Sequence, residues 1–215
     1  MNTRTFITAA ALSMSCGAFA QQVIKLPEPD KTMKAMSVVE ALDTRHSVRE
    51  YADEPLSQQE LANLCWAACG VSRDNDHRTA PSAMNRKEIR LYVFDKEGVY
   101  EYDAVAGTLT KRAEGDKRSL IAGGKAFKQD FVMQAPVCLL MVIDFERMGG
   151  KSEHSTMMGC VDAGNVSENI NLYCQAVGLA TVPRATHDTD GLRELLGLTE
   201  MQLPIMNNPV GKPKK

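Results

Sequence analysis

Two arginines and a serine at alternate positions near the start of the chain could bind a phosphate group. Arg45, Ser47 and Arg49 follow an apolar helical stretch. In an extended backbone alternate side chains project to the same face, so these three would share one face. Guanidinium groups bind phosphate oxygens in bidentate fashion, and a hydroxyl between them adds a further hydrogen bond. On spacing alone, a solvated surface strand whose arginines pair with Asp43 and Glu50 is the commoner explanation of such a pattern.

Motifs for several other chemistries are missing from the sequence. It contains no G-x-S-x-G, no P-loop and no G-x-G-x-x-G, so neither a nucleophile nor a Rossmann dinucleotide site is indicated. The histidines at positions 46, 77, 154 and 187 have no partners at metal-ligand spacing, and we therefore predict no metal site. Lysine and arginine total 25 against 27 acidic residues, and this balance argues against a nucleic-acid partner.

The first twenty residues have the pattern of a cleaved export signal. Arg4 precedes an apolar run that ends in Ala18-Phe19-Ala20, a small-x-small cleavage site. We therefore predict a signal peptide over residues 1–20 and an exported, periplasmic protein. A lipoprotein attached through Cys16 is less favoured, because Ser13 stands where a leucine is usual. The apolar run is shorter than the ~20 residues that a transmembrane segment needs, so we expect no membrane span.

The first half of the mature chain reads as an arm, two helices and a hairpin. Residues 21–36 lack periodicity and are predicted to form an extended N-terminal arm before a single domain at 37–215. Ser57 and Glu60 form a capping box that opens a helix, and Gly70 ends it. The other predicted elements are a helix at Ser37–Thr44, a polar loop at 72–80, a hairpin of Ile89–Phe94 with Val99–Asp103, and a third strand at Thr108–Arg112.

The second half alternates helices with strands. Val137–Ile143 is apolar throughout, which is typical of a strand buried on both faces. The remaining predictions are helical character over 117–134 with an interruption at Gly123-Gly124, a mobile loop at 149–155, a long helix at 156–177, a strand at 179–184, a short helix capped by Asp188 or Thr189, and a strand at 203–206 that ends in a turn at 207–211. Strands mixed with helices, some paired as hairpins, indicate an α+β fold.

Several short motifs in a fixed order resemble the nitroreductase family of flavoproteins. The branch that they resemble most includes dehydrogenases that oxidise azolines in peptide natural products. The motifs are Arg45–Tyr51, Arg78–Asn85, Gly98–Asp103, Asp162–Gly164 with Gly178–Thr181, and Pro209–Pro213.

The resemblance implies a nitroreductase-like mixed sheet, antiparallel in part and flanked by helices, in a homodimer that binds FMN between its subunits. It implies three groups of contacts. Arg45, Ser47 and Arg49, with His46 beside them, match the phosphate-binding run; Pro81, Ser82, Ala83 and Asn85 match a turn that meets the flavin from the partner subunit; Gln129 falls near the isoalloxazine edge, and Pro183, Arg184 and Ala185 match the segment whose backbone N–H faces flavin N5. Arg184 or Lys128 is the expected positive neighbour of the reduced flavin.

The function implied by the resemblance is an FMN-dependent oxidoreductase. Hydride or electrons would pass from NAD(P)H or another donor to a small organic acceptor such as a nitroaromatic or a quinone. The flavin carries the chemistry, so no catalytic side chain is expected. Because NAD(P)H is a cytoplasmic reductant, the export signal leaves two alternatives open. These are a substrate dehydrogenase of the azoline-oxidising type and a flavin-binding protein without NAD(P)H turnover.

Overall fold

An antiparallel sheet of seven strands forms the centre of the structure, a computed structural model that describes residues 22–214. The signal peptide predicted over residues 1–20 lies outside these residues. The strands are β1 (Val23–Lys25), β2 (Val71–Arg73), β3 (His77–Arg78), β4 (Ile89–Phe94), β5 (Gly98–Asp103), β6 (Thr108–Glu114), β7 (Val137–Asp144), β8 (Ala180–Thr181) and β9 (Gln202–Gly211). The sheet order is β1-β6-β5-β4-β7-β9-β8, and β2 and β3 form a separate hairpin.

Residues 22–214 contain five α-helices. They are α1 (Val38–Thr44), α2 (Gln58–Cys69), α3 (Arg118–Ala122), α4 (Glu153–Val177) and α5 (Thr189–Leu196). The capping box of Ser57 and Glu60 and the end of α2 at Gly70 are confirmed. Among the described residues, none of these helices combines the length and the apolar character that a membrane crossing requires.

The strand β7 is buried on both faces, as its apolar sequence predicts. Leu139 and Met141 pack with α2 and α4 in one hydrophobic cluster. Leu140 and Val142 point the other way and pack with α3 and α5 in a second cluster. Because successive side chains alternate across a strand, only a run without polar residues can serve two cores. The α+β fold is therefore confirmed, with helices on both faces of the sheet.

The end of the chain differs most from the prediction. The last strand does not stop at Met206 but runs through the predicted turn as far as Gly211. Asn207 and Asn208 are fully buried there, with their side-chain amides in hydrogen bonds, so polar residues typical of turns lie inside the sheet. The predicted strand 179–184 is reduced to β8, because Pro183 has no N–H to donate to a ladder.

Four other segments also differ from their predictions. Polar residues within 72–80 pair as the β2–β3 hairpin. The helical stretch predicted at 117–134 has its predicted interruption at the glycines 123 and 124, but only α3 before it and a 3-10 turn at Asp130–Gln134 after it are helical. Helix α4 begins inside the predicted loop, since Ser152 caps it together with Ser155. In the N-terminal arm β1 pairs with β6, and Leu26 is buried in the core.

Candidate functional site

The arginine segment 45–49 is extended and is held at the edge of the sheet. The N–H of Val48 donates to the carbonyl of Thr181 in β8 at 2.9 Å. Val48 itself packs beside Tyr51 against the second hydrophobic cluster. The apolar side of the segment therefore fixes it to the sheet, while Ser47 and Arg49 remain exposed to solvent.

The side chains of this segment do not form the ion pairs expected of a plain surface strand. Within residues 22–214, Ser47 and Arg49 have no side-chain hydrogen bond or ion pair. Arg45 meets only Glu168 of α4, with 3.9 Å between Nε and Oε1. Next to them, Nδ1 of His46 lies 3.0 Å from the carbonyl of Thr44. Two guanidinium groups and a hydroxyl therefore remain available to an anion.

Arg184 is a buried cation surrounded by neutral acceptors. Its side chain donates to Oε1 of Gln129 at 2.7 Å and to Oδ1 of Asn207 at 2.6 Å. It also donates to the carbonyls of Ile121 at 3.0 Å and Ala122 at 3.2 Å. These bonds hold the guanidinium and Gln129 together, as expected if both belong to one site.

No carboxylate balances the charge of Arg184 among the described residues. The residue is only 7% exposed. Burial lowers its pKa, and the positive charge of Arg49 acts in the same direction. A buried charge without a counter-ion is energetically unfavourable, so this corner of the molecule favours an anionic ligand. Lys128, the alternative cation, lies 3.6 Å from Asp130 and is already paired.

The backbone of residues 183–185 offers one N–H group. Proline has none. Arg184 exchanges two backbone hydrogen bonds with Asn207, at 2.9 and 2.7 Å, so its N–H is occupied. Ala185 is exposed, and its N–H makes no hydrogen bond within the described part of the chain. Of the three predicted residues, only Ala185 can donate a backbone hydrogen bond to a ligand.

The turn at Pro81–Asn85 lies apart from these groups in the single chain. No hydrogen bond or ion pair in the described range joins it to the arginine segment or to residues 183–185. The N–H of Ala83 donates to Oδ2 of Asp162 at 2.7 Å. Met84 and Asn85 have φ angles of 48° and 56°, in the left-handed region that side chains disfavour. Such strain is often found where a backbone is shaped for a ligand.

Two cavities of the described structure have volumes of about 530 and 470 Å³. Neither of these two is lined by Arg45, Arg49 or Arg184. The larger one adjoins Pro81 and Ser82.

The sequence interpretation missed the side chains that hold these groups in place. Asn207 accepts from Arg184 and donates to the carbonyl of Thr186 at 3.0 Å. Asn208 donates to Asn171 at 3.0 Å and accepts from Ser167 at 2.8 Å. The signal in the sequence is a pair of asparagines directly after an apolar stretch. Such a pair also fits a turn, and a turn is what the sequence predicts at 207–211.

Comparisons with known proteins agree with this architecture. The family described as the nitroreductase family matches residues 42–212. This chain belongs to the nitroreductase family. A Methanocaldococcus jannaschii protein named as a nitroreductase is 29% identical over 88% of this chain and 96% of its own length. A crystal structure from Ralstonia eutropha, titled as that of a nitroreductase, has 35% identity and a TM-score of 0.81, and the match covers 90% of each chain.

The family assignment makes the protein an oxidoreductase of the flavin-dependent kind. A Bacillus subtilis protein named FMN reductase [NAD(P)H] is 27% identical over 82% of this chain, and the match spans 66% of that protein. The predicted enzyme class and the α+β fold are thus confirmed.

Proposed function

We propose that this nitroreductase uses FMN to transfer electrons from NAD(P)H or another donor to a small organic acceptor such as a nitroaromatic or a quinone. The observation that carries the proposal is Arg184. It is a buried cation without a carboxylate partner, beside the free N–H of Ala185 and the exposed guanidinium of Arg49. An anionic ligand with a hydrogen-bond acceptor fits this arrangement, and a flavin nucleotide has both features.

Each group of residues has a distinct role in this proposal. Arg45, Ser47 and Arg49 bind the phosphate, because their side chains are solvent-facing and largely unpaired. The N–H of Ala185 donates to the redox-active ring, and Arg184 with Gln129 supplies positive charge and a hydrogen bond at its edge. FMN itself supplies the capacity to accept and release a hydride. The protein contributes binding, orientation and electrostatics, so no nucleophilic side chain is needed.

We further propose that the active protein is a homodimer with α4 at its centre. Met157 and Val161 are 52% and 54% exposed. Nothing lies within 4 Å of the position that a Cβ of Gly164 would take. Residues at this spacing share one helix face, so α4 has an apolar stripe without a partner in the single chain. Helix α1 adds Val38, Val39 and Leu42, which are 68%, 75% and 58% exposed.

The geometry of α4 explains how such a dimer could complete the site. Asp162 holds the turn Pro81–Asn85, and Glu168 meets Arg45. These two residues lie on either side of the middle of the helix. Two copies of α4 packed antiparallel around Gly164 would bring the turn of one chain to the arginine segment of the other. A self-complementary two-fold contact of this kind is the commonest form of homodimer.

Sedimentation of the purified protein tests the dimer. Val161→Asp should give monomers that bind FMN weakly, since it places a charge in the stripe. Val23→Asp is the matched control, because Val23 is 57% exposed in β1, at the far edge of the sheet. If the Val161 variant remains a dimer with full FMN affinity, α4 is not the interface.

We also propose that the protein is exported after cleavage behind Ala20, which the mass of the mature protein would test by placing Gln21 first. An exported enzyme would meet little NAD(P)H, so the donor has to be identified by experiment.

The purified protein should be yellow, and anaerobic NADH or NADPH should bleach it. A yellow protein that only an organic substrate bleaches is the azoline-type dehydrogenase instead, and one that nothing bleaches is a flavin-binding protein. A colourless protein that takes up no added FMN overturns the proposal.

A further inference from the structure

Two carboxyl groups that the proposed reaction does not use lie beneath the turn Pro81–Asn85. Glu88 is 0% exposed and Asp162 is 5% exposed. Neither oxygen of Glu88 has a hydrogen-bond donor among the described residues. The carboxyl of Asp162 lies within hydrogen-bonding reach of it. Because an ionised carboxylate only accepts, the two groups can bond only when one of them carries a proton.

The pair has few cations near it. Arg147, in the loop after β7, attracts Glu88 only weakly, because it also faces Asp144 at 3.9 Å. Asp144 is itself 3.6 Å from Arg90, and its N–H donates to the carbonyl of Glu88 at 3.0 Å. No ion pair in the described structure neutralises Glu88 or Asp162. A proton is therefore the simplest way to remove one of the two negative charges.

The surroundings of Glu88 favour its protonated form near neutral pH. Burial, followed by the hydrogen bond with Asp162, raises the pKa of Glu88 to about 7, although its own backbone N–H and, to a smaller extent, the positive charge of Arg147 act in the opposite direction. Two like charges in contact within a protein interior cannot both ionise easily.

We propose that Glu88 holds a proton that it shares with Asp162 by donating a hydrogen bond to it, and that this proton holds the turn Pro81–Asn85 in its flavin-contacting conformation. Asp162 anchors the turn by accepting the N–H of Ala83 at 2.7 Å. The left-handed backbone at Met84 and Asn85 needs such an anchor, because strained conformations persist only when their surroundings hold them. Loss of the proton makes the carboxylates repel one another and loosens the turn. Glu88 and Asp162 are thus positioning residues. The proton between them and its effect on the turn are independent of the proposed function, and only the contact between the turn and the flavin rests on it.

The affinity for FMN should therefore fall as the pH rises. Between about pH 6 and pH 8 the protonated fraction of Glu88 falls about tenfold, so the Kd for FMN should rise up to about tenfold. Glu88→Gln and Asp162→Asn each replace the shared proton with a permanent amide donor, and both should make the Kd independent of pH over this range. Asp95→Asn is the matched control, since Asp95 is a carboxyl that accepts from Glu97 and Gly98 in the β4–β5 turn. It should keep the wild-type pH dependence.

Amide hydrogen exchange of the flavin-free protein separates this inference from the proposed function. Exchange in the peptide that contains Ala83 should accelerate in the wild type relative to Glu88→Gln as the pH passes through 7, with Asp162→Asn as the second variant. If both variants follow the wild type at every pH in exchange and in FMN titration, the shared proton is refuted. If exchange shows the effect but no FMN binds, the shared proton is supported, and the flavin contact fails together with the proposed function.

Discussion

Replacing Arg49 with glutamine should separate binding from stability. The Arg49 side chain is exposed and has no side-chain partner in the described structure, so its loss removes no folded-state bond. It lowers the pKa of Arg184, which means that it repels that buried cation. The free energy of unfolding should thus change by no more than about 0.5 kcal/mol, or rise slightly. A charge-assisted hydrogen bond to phosphate contributes about 1.5–3 kcal/mol, so the Kd for FMN should rise roughly 10- to 150-fold.

Urea unfolding of the flavin-free protein and fluorescence titration with FMN measure the two quantities for Arg49→Gln. Lys25→Gln is the control for the FMN titration, because it removes an exposed charge at β1, the opposite edge of the sheet from β8. It is not a control for stability, since Nζ of Lys25 donates to the carbonyl of Ala106. Six strand spacings separate the two edges, or about 29 Å. The wild-type affinity should also fall with added salt, since exposed charges are screened. An affinity within threefold of wild type for Arg49→Gln would refute the phosphate-binding role of this residue.

Three further substitutions test the structure. Arg184→Met removes a donor from the half-buried Gln129 and from three buried acceptors, of which only the carbonyl of Ala122 keeps another donor. It should lower the free energy of unfolding in urea by about 2–6 kcal/mol. Gly159→Ala should lower the melting temperature, since its Cβ would lie 2.8 Å from the side chain of Ile143 and such overpacking costs about 1–3 kcal/mol. Glu88 binds its proton more tightly in the folded state, where its pKa is about 7, than at its usual pKa of 4.5. This tighter binding stabilises the folded state fully below pH 4.5, and the contribution is lost as the pH rises to about 7. Urea titrations should therefore show the wild type losing up to about 3 kcal/mol over that range, and Glu88→Gln should lose much less.

The sequence predicted well the elements whose signals are local. A capping box of Ser57 with Glu60 and a terminal Gly70 determine a helix through contacts within a few residues, and α2 has those ends. The apolar run of β7 requires burial on both faces wherever the strand lies. The cysteines at 65, 69, 138 and 174 are free thiols buried in the core.

The sequence failed where a distant residue changes the meaning of a local signal. Asn207 and Asn208 resemble a turn, but Arg184 and Asn171 satisfy their amides inside the sheet. Hydrogen-bond partners more than twenty residues away are not visible to any local pattern.

The candidate site divides in the same way. The sequence by itself determined which side chains could bind a phosphate, because guanidinium and hydroxyl groups at alternate positions define that chemistry wherever the strand lies. Only the tertiary structure decided that Arg184 is a buried cation without a counter-ion, that Ala185 is the one free donor of its segment, and that Glu88 lies against Asp162. Burial and pairing depend on what the rest of the fold places around a residue, and these two properties decide whether a charge is a solvated surface group or part of a site.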